Sequence, residues 1–233
     1  MPPKRKNDTV IKEGIGYLLI LTLITQTLYP LSLLSDTALL LFQFLYVGFV
    51  VAGIFLVRDS PVYLRGLIIL GTLWVIAGAA FVLDSTNPLI QFAAFLAYGI
   101  YQAAVVGVLL RYIFHAKVVN RDILFAACVV YLLLGAIFVP VYGVIESITF
   151  AESGGTLHAF ADPQTSPGEI IPWQHLVYYS YSTLTTLGYG DVLPITPAAR
   201  SIASIEAIVG VLYLTIIMGR LVGLYAAREE IEE

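Results

Sequence analysis

Charge is scarce in this chain. Asp, Glu, Lys and Arg make up 12% of the 233 residues against 59% hydrophobic residues, and the mean hydropathy is +0.88. Soluble globular domains do not have that balance. The net charge of −4 is too small to imply a nucleic-acid partner. The single cysteine, Cys128, excludes an intrachain disulfide and a cysteine metal cluster; within an apolar run it reads as a packed thiol. His158 and His175 have no metal-ligand spacing. There is no His-Glu-x-x-His helix, no Gly-x-Ser-x-Gly turn and no Walker loop, and no paired discontinuous helices mark a transporter site. Glu206 and Asp191 belong to segments at different depths, so they make no catalytic pair. The expectation is a chain that is not an enzyme.

Long apolar runs are what the chain does have. A bilayer core of about 30 Å needs about 20 mostly apolar residues per helix. Ile15–Leu34, Thr37–Val57, Gly66–Leu83, Pro88–Leu110 and Ile123–Ile145 meet that length, and Ala198–Tyr225 meets it while carrying Glu206 and Arg220. The basic start, Met1 to Lys6, resembles a signal peptide, but the apolar run after it is long enough to span and lacks a small-residue cleavage site. It reads as the first span. Pro30 and Pro140 fall near expected span ends, where a lost hydrogen bond costs least. Ser147 to Pro197 is too long for a simple connection and too polar for a span. It divides into an exposed loop, rich in turn formers from Ser153 to Gly168 and expected to be mobile, then a half-membrane helix and a glycine-bearing segment.

Lys4, Arg5, Lys6, Lys12, Arg58, Arg65, Arg111, Lys117, Arg121, Arg220 and Arg228 all fall on one side if six helices cross, and only Arg200 falls on the other. By the positive-inside rule both termini are cytoplasmic in a multi-pass cell-membrane protein. The opposite side holds Asp36, Asp84, Glu146, Glu152, Asp162, Glu169 and Asp191, a single-sign field that would concentrate cations.

The segment that decides the function is Thr185-Thr186-Leu187-Gly188-Tyr189-Gly190-Asp191. Non-helical backbone within a membrane survives only inside protein or along a water-filled path. Two glycines flanking a tyrosine let successive carbonyls point the same way, and a ring of carbonyls can replace the water around a cation. The segment resembles the potassium-channel filter Thr-Val-Gly-Tyr-Gly, with Leu187 in place of valine. The resemblance to potassium channels runs from about Asp122 to Tyr225. Tyr178 to Thr185 resembles the pore helix, Asp191 to Pro197 the outer-mouth turn, and the segment after Arg200 an inner helix with Gly210 at the hinge position. Ser182 stands where many bacterial relatives carry a glutamate behind the filter.

The resemblance implies an all-α membrane protein: six transmembrane helices, a re-entrant pore helix and a selectivity filter, assembled as a homotetramer in the lipid bilayer. It implies K+ binding by the backbone of Thr186, Leu187, Gly188, Tyr189 and Gly190, with no cofactor beyond the permeant ions. Filter support falls to Asp191, Tyr178, Tyr179, Ser182 and Glu206, the last by bonding to the hydroxyls of Ser180, Ser182, Thr183 and Thr185. Gate and hinge fall to Gly210, Val211, Leu214, Met218 and Val222, which share helical spacing. A potassium-selective channel is the first reading and a less selective monovalent cation channel the second.

The chain then divides into a tail (1–12), a four-helix domain (13–112), an interfacial linker (113–122), a pore domain (123–228) and a second tail (229–233). The four-helix domain resembles a voltage sensor without its charges, because the fourth helix has no Arg or Lys before Arg111. Steep gating needs several charges in the field, each worth about 2.3 kcal/mol per 100 mV. Weak or absent voltage gating follows. Ala93, Ala94, Ala97, Gly99, Ala103, Ala104 and Gly107 suit close packing instead, and Gln91 and Gln102 are expected to find protein partners. The linker, with His115, Lys117 and Arg121, reads as an amphipathic interfacial helix. No cytoplasmic ligand-binding domain is expected after the sixth span, so the sequence names no stimulus and leaves an unidentified regulatory lipid or protein open.

Overall fold

The computed structural model describes residues 8–58, 60–84 and 87–232. The basic residues Lys4, Arg5 and Lys6 lie outside them. The chain folds as α1 (Asp8–Leu28), a 3-10 turn (Tyr29–Leu33), α2 (Asp36–Leu56), α3 (Pro61–Leu83), α4 (Pro88–His115), α5 (Arg121–Glu152), β1 (Phe160–Ala161), α6 (Trp173–Leu184), β2 (Leu193–Pro194) and α7 (Pro197–Glu232). Six of these helices are long and apolar enough to cross a membrane, and among the described residues the fold is all-α but for one two-residue antiparallel ladder.

Helix starts follow local chemistry. Pro61 and Pro88 open α3 and α4, where a missing N–H costs nothing. Ser35, Asn87 and Asn120 accept hydrogen bonds from the free N–H groups of Ala38, Leu89 and Ile123.

α5 is the internal post of the fold: 56% of an apolar 18-residue stretch of it is buried, against 11% of the corresponding stretch of α7. One core joins α1–α4 to the first half of α5 through Leu18, Phe49, Trp74, Tyr101, Leu109 and Leu133. A second packs Tyr142, Phe160, Leu176, Tyr179 and Ala203 around the end of the molecule that carries the glycine segment.

Four expectations change. α5 runs past Ile145 to Glu152, so Pro140 lies inside the helix rather than near its end; the polar residues after Ile145 hide this continuation from a hydropathy window. The expected amphipathic helix over the linker is absent: α4 continues to His115, and residues 116–120 form a short irregular link ended by the Asn120 cap. The loop from Ser153 to Gly168 is tied down by its buried centre, with Ala159 and Phe160 at 0% and 1% exposure. The fourth concerns the acidic face. Glu146 and Asp162 are internal side chains, each hydrogen-bonded to a histidine.

Candidate functional site

The half-length helix α6 carries the glycine segment at its C-terminus. Beyond Leu184 the chain adopts positive φ at Thr186 (59°), Gly188 (57°) and Gly190 (78°), while Leu187 and Tyr189 stay at negative φ. Alternating handedness of this kind lets consecutive carbonyls point to one side and N–H groups to the other. Three of the N–H groups have partners: Thr186 donates to the Thr183 carbonyl, and Leu187 and Gly188 both donate to that of Ser182. The negative end of the α6 dipole lies at the start of this segment, which favours a cation there. Leu187 and Tyr189 are 54% and 70% exposed in the single chain.

The mouth after the segment is braced from two sides. Tyr178 donates its hydroxyl to Asp191 at 2.7 Å, and this bond holds the Asp191 carboxyl below its usual range. On the other side, β2 pairs with β1, and the Ala159 carbonyl accepts the N–H groups of Ile195 and Thr196. Ala159 is held in turn by Glu146, whose second oxygen meets His158 Nδ1 at 2.6 Å. The bracing chain therefore runs from α5 through Glu146 and Ala159 to the mouth. Nearby, His175 meets Asp162 at 2.5 Å. Burial alone would raise the Asp162 carboxyl, but hydrogen bonds from Thr165, His175 and the Gln164 N–H outweigh it and hold it low.

Behind α6 the structure places Glu206 fully buried on α7. Of the four hydroxyls expected to meet it, Ser180 does, at 2.5 Å. Its other oxygen accepts the hydroxyl of Tyr142 on α5. Ser180 also lies 2.8 Å from the Gly135 carbonyl. Tyrosines complete the joint: Tyr181 donates to the Leu132 carbonyl and Tyr213 to that of Ala127. Tyr179 is buried edge-on against Tyr142 and Phe160, and Ser182 contributes its carbonyl to the segment.

Along α7, Val211, Leu214, Met218 and Val222 are exposed at 46–62%, whereas Ile217 is buried. Gly210 faces α6, and a Cβ there would collide with the Leu184 carbonyl oxygen. Its missing side chain is thus a close approach of two helices. Further along, Arg220 reaches the end of α4. Tyr142, Glu146, His158 and Arg220 carry no motif, and their roles depend on partners distant in sequence.

Residues 125–226 match the ion channel family model. The match begins in α5 and ends in α7, so it covers the glycine segment, both braces and Glu206. It supports an ion-channel domain in this half of a multi-pass membrane protein. Neither the curated proteins nor the solved structures gave a match.

Proposed function

We propose that four copies of the chain assemble around the 185–191 segment as a potassium-selective channel. The alternation of backbone hand from Thr186 to Gly190 carries this reading. The carbonyls of Thr186, Leu187, Gly188 and Tyr189, with the Thr186 hydroxyl, replace the hydration shell of a file of K+ ions. One chain supplies one strand of the filter, and closed rings of identical subunits are the common way to complete such a site. Exposure of Leu187, Tyr189 and one apolar face of α7 in the single chain is consistent with burial against other copies. Arg58, Arg65, Arg111, Lys117, Arg121 and Arg220 fall on one side if six helices cross, which supports cytoplasmic termini and an external Gly190 end. With no charge in α4 before Arg111, open probability varies weakly or not at all with voltage.

A less selective monovalent cation channel is the second reading, favoured by Leu187 in the filter and by Ser182 in place of a carboxylate. Reversal potential under a potassium/sodium gradient, in vesicles holding the purified protein, separates the two. A shift toward the potassium potential is expected, and equal permeability leaves the second reading. Gly188→Ala and Gly190→Ala should abolish conduction, because left-handed backbone costs a Cβ-bearing residue about 1–2 kcal/mol. Full conduction in both variants would refute the filter itself.

A further inference from the structure

Gln102, on α4, is 3% exposed, and its side-chain carbonyl oxygen has no hydrogen-bond partner among the described residues. Its amide is engaged with Tyr98, which also interacts with Tyr46. A buried carbonyl left unpaired costs about 1–3 kcal/mol, and none of the described residues donates to this one. The nearby Thr25 hydroxyl is spent on the Thr22 carbonyl.

The Gln102 side chain lines a cavity of about 20 Å³. A second cavity of about 80 Å³ adjoins it, walled by Phe42, Trp74 and Phe95, and the two share Tyr46, Tyr98, Val139, Trp173 and Val177. A water or a hydroxyl needs about 10–15 Å³, so the small chamber fits one. The larger one fits a short branched chain or a ring. Among the described residues no Lys, Arg, Asp or Glu lines either chamber, and a charged group would enter without a counter-charge.

From this we infer that the two adjoining chambers communicate and form a binding site for a small neutral amphiphile with one hydroxyl donor. The hydroxyl donates to Gln102 Oε1, and the apolar body lies among Phe42, Trp74 and Phe95. Apolar pockets with few, placed polar groups are the usual form of small-molecule sites. Trp173 and Val177 belong to α6, so the bound molecule touches the four-helix domain and the pore helix at once. The inference does not depend on which ion the chain conducts.

Both tryptophans of the chain, Trp74 and Trp173, stand in the walls, so intrinsic fluorescence reports from this place. The test titrates the full-length protein in neutral-lipid nanodiscs with 3-bromo-1-propanol and, separately, with 1-bromobutane, which has the same number of heavy atoms and no hydroxyl. Saturable quenching by the alcohol is expected in the wild type. Gln102→Leu should weaken the alcohol about fivefold, the value of one neutral hydrogen bond, and leave 1-bromobutane unchanged. Ala94→Leu, which fills the larger chamber from its wall, should abolish the saturable component for both, and it decides the matter if Gln102→Leu does not fold. Linear quenching in the wild type, persistence in Ala94→Leu, or an unchanged alcohol affinity in Gln102→Leu overturns the inference and leaves water as the occupant.

Discussion

Arg220, near the end of α7, donates to the Phe114 carbonyl at the end of α4 at 2.7 Å. The same guanidinium also bonds the carbonyls of Ile113 and Ala116 and lies over the Phe114 ring. A helix C-terminus leaves carbonyls without partners, and a cation there satisfies both the bonds and the dipole. The end of α4 is thereby fastened to α7 at the end opposite the glycine segment. Arg220→Gln should lower stability by about 1–3 kcal/mol, since hydrogen bonds to charged groups are worth more than neutral ones. Arg220→Lys should recover only part, because an ammonium lacks the guanidinium fork. Thermal unfolding of the three proteins in one lipid checks this, and full recovery by lysine would show that charge alone matters.

Gly210 separates two accounts of α7. A hinge glycine tolerates alanine with a modest change in stiffness, whereas a contact glycine does not. A Cβ at Gly210 collides with the backbone of Leu184, but Gly219 and Gly223 have nothing within 4 Å in the single chain. Gly210→Ala should therefore destabilise the protein and disturb ion flux. Gly219→Ala and Gly223→Ala should stabilise α7 by up to about 1 kcal/mol each, the helix-propensity difference. Equal effects at all three positions would remove the contact account.

The sequence and the fold differ most where a role depends on distant partners. The spans were legible because a bilayer demands about 20 apolar residues in a row, and the glycine segment because its residue types leave few backbone choices. The sequence groups Glu146 with the acids of the outer side. Its burial depends on His158 and on the Ala159 N–H, which only the folded loop brings to it. The β1–β2 ladder is too short for alternation to reveal, and an isolated Gly210 within a helical pattern cannot be told from a hinge without its neighbour. Gln102 was expected to find a protein partner, and its carbonyl does not.

Asp162 makes the loop acid-sensitive. Its carboxyl is held below the usual value in the folded state, so its contribution is present above the unfolded carboxylate pKa of about 3.9. It is lost as pH falls through the lower, folded value. Pepsin should begin to cut between 153 and 172 only in strong acid. Asp162→Asn should be cut already at pH values where the wild type resists, with a flatter pH profile. Identical profiles would show that the Asp162–His175 pair does not hold the loop.

The exposed face of α7 makes a labelling prediction. Cysteines at Val211, Leu214, Met218 or Val222 should react with water-soluble thiol reagents in the conducting state. Cysteine at Ile217, which is buried in the single chain, should not, and nor should one at Tyr213, whose hydroxyl bonds the Ala127 carbonyl. The reverse pattern would rotate α7 and remove this face from the path.

Glu206 ties three helices together, and counting protons sharpens what it does. Ser180 has one hydroxyl hydrogen, yet it lies within bonding distance of the Gly135 carbonyl and of Glu206. A carbonyl only accepts. Both contacts are hydrogen bonds at once only if the Glu206 carboxyl brings the second proton, donating to Ser180 while Ser180 donates to Gly135. Tyr142 donates to the other carboxyl oxygen, so every polar atom is satisfied by a neutral acid in an apolar span, where an ionised one is costly. Glu206→Gln preserves this arrangement: its amide donates to Ser180 and its carbonyl accepts from Tyr142. Glu206→Val leaves the Tyr142 hydroxyl and one Ser180 lone pair without partners, at about 1–3 kcal/mol for each buried group left unpaired. Gln should retain wild-type selectivity and open-state lifetime, while Val should increase inactivation or loosen selectivity. Infrared difference spectra should contain a protonated-carboxyl band that Glu206→Gln removes. A valine variant with unchanged selectivity and lifetime would show that Glu206 fastens the helices without supporting the filter.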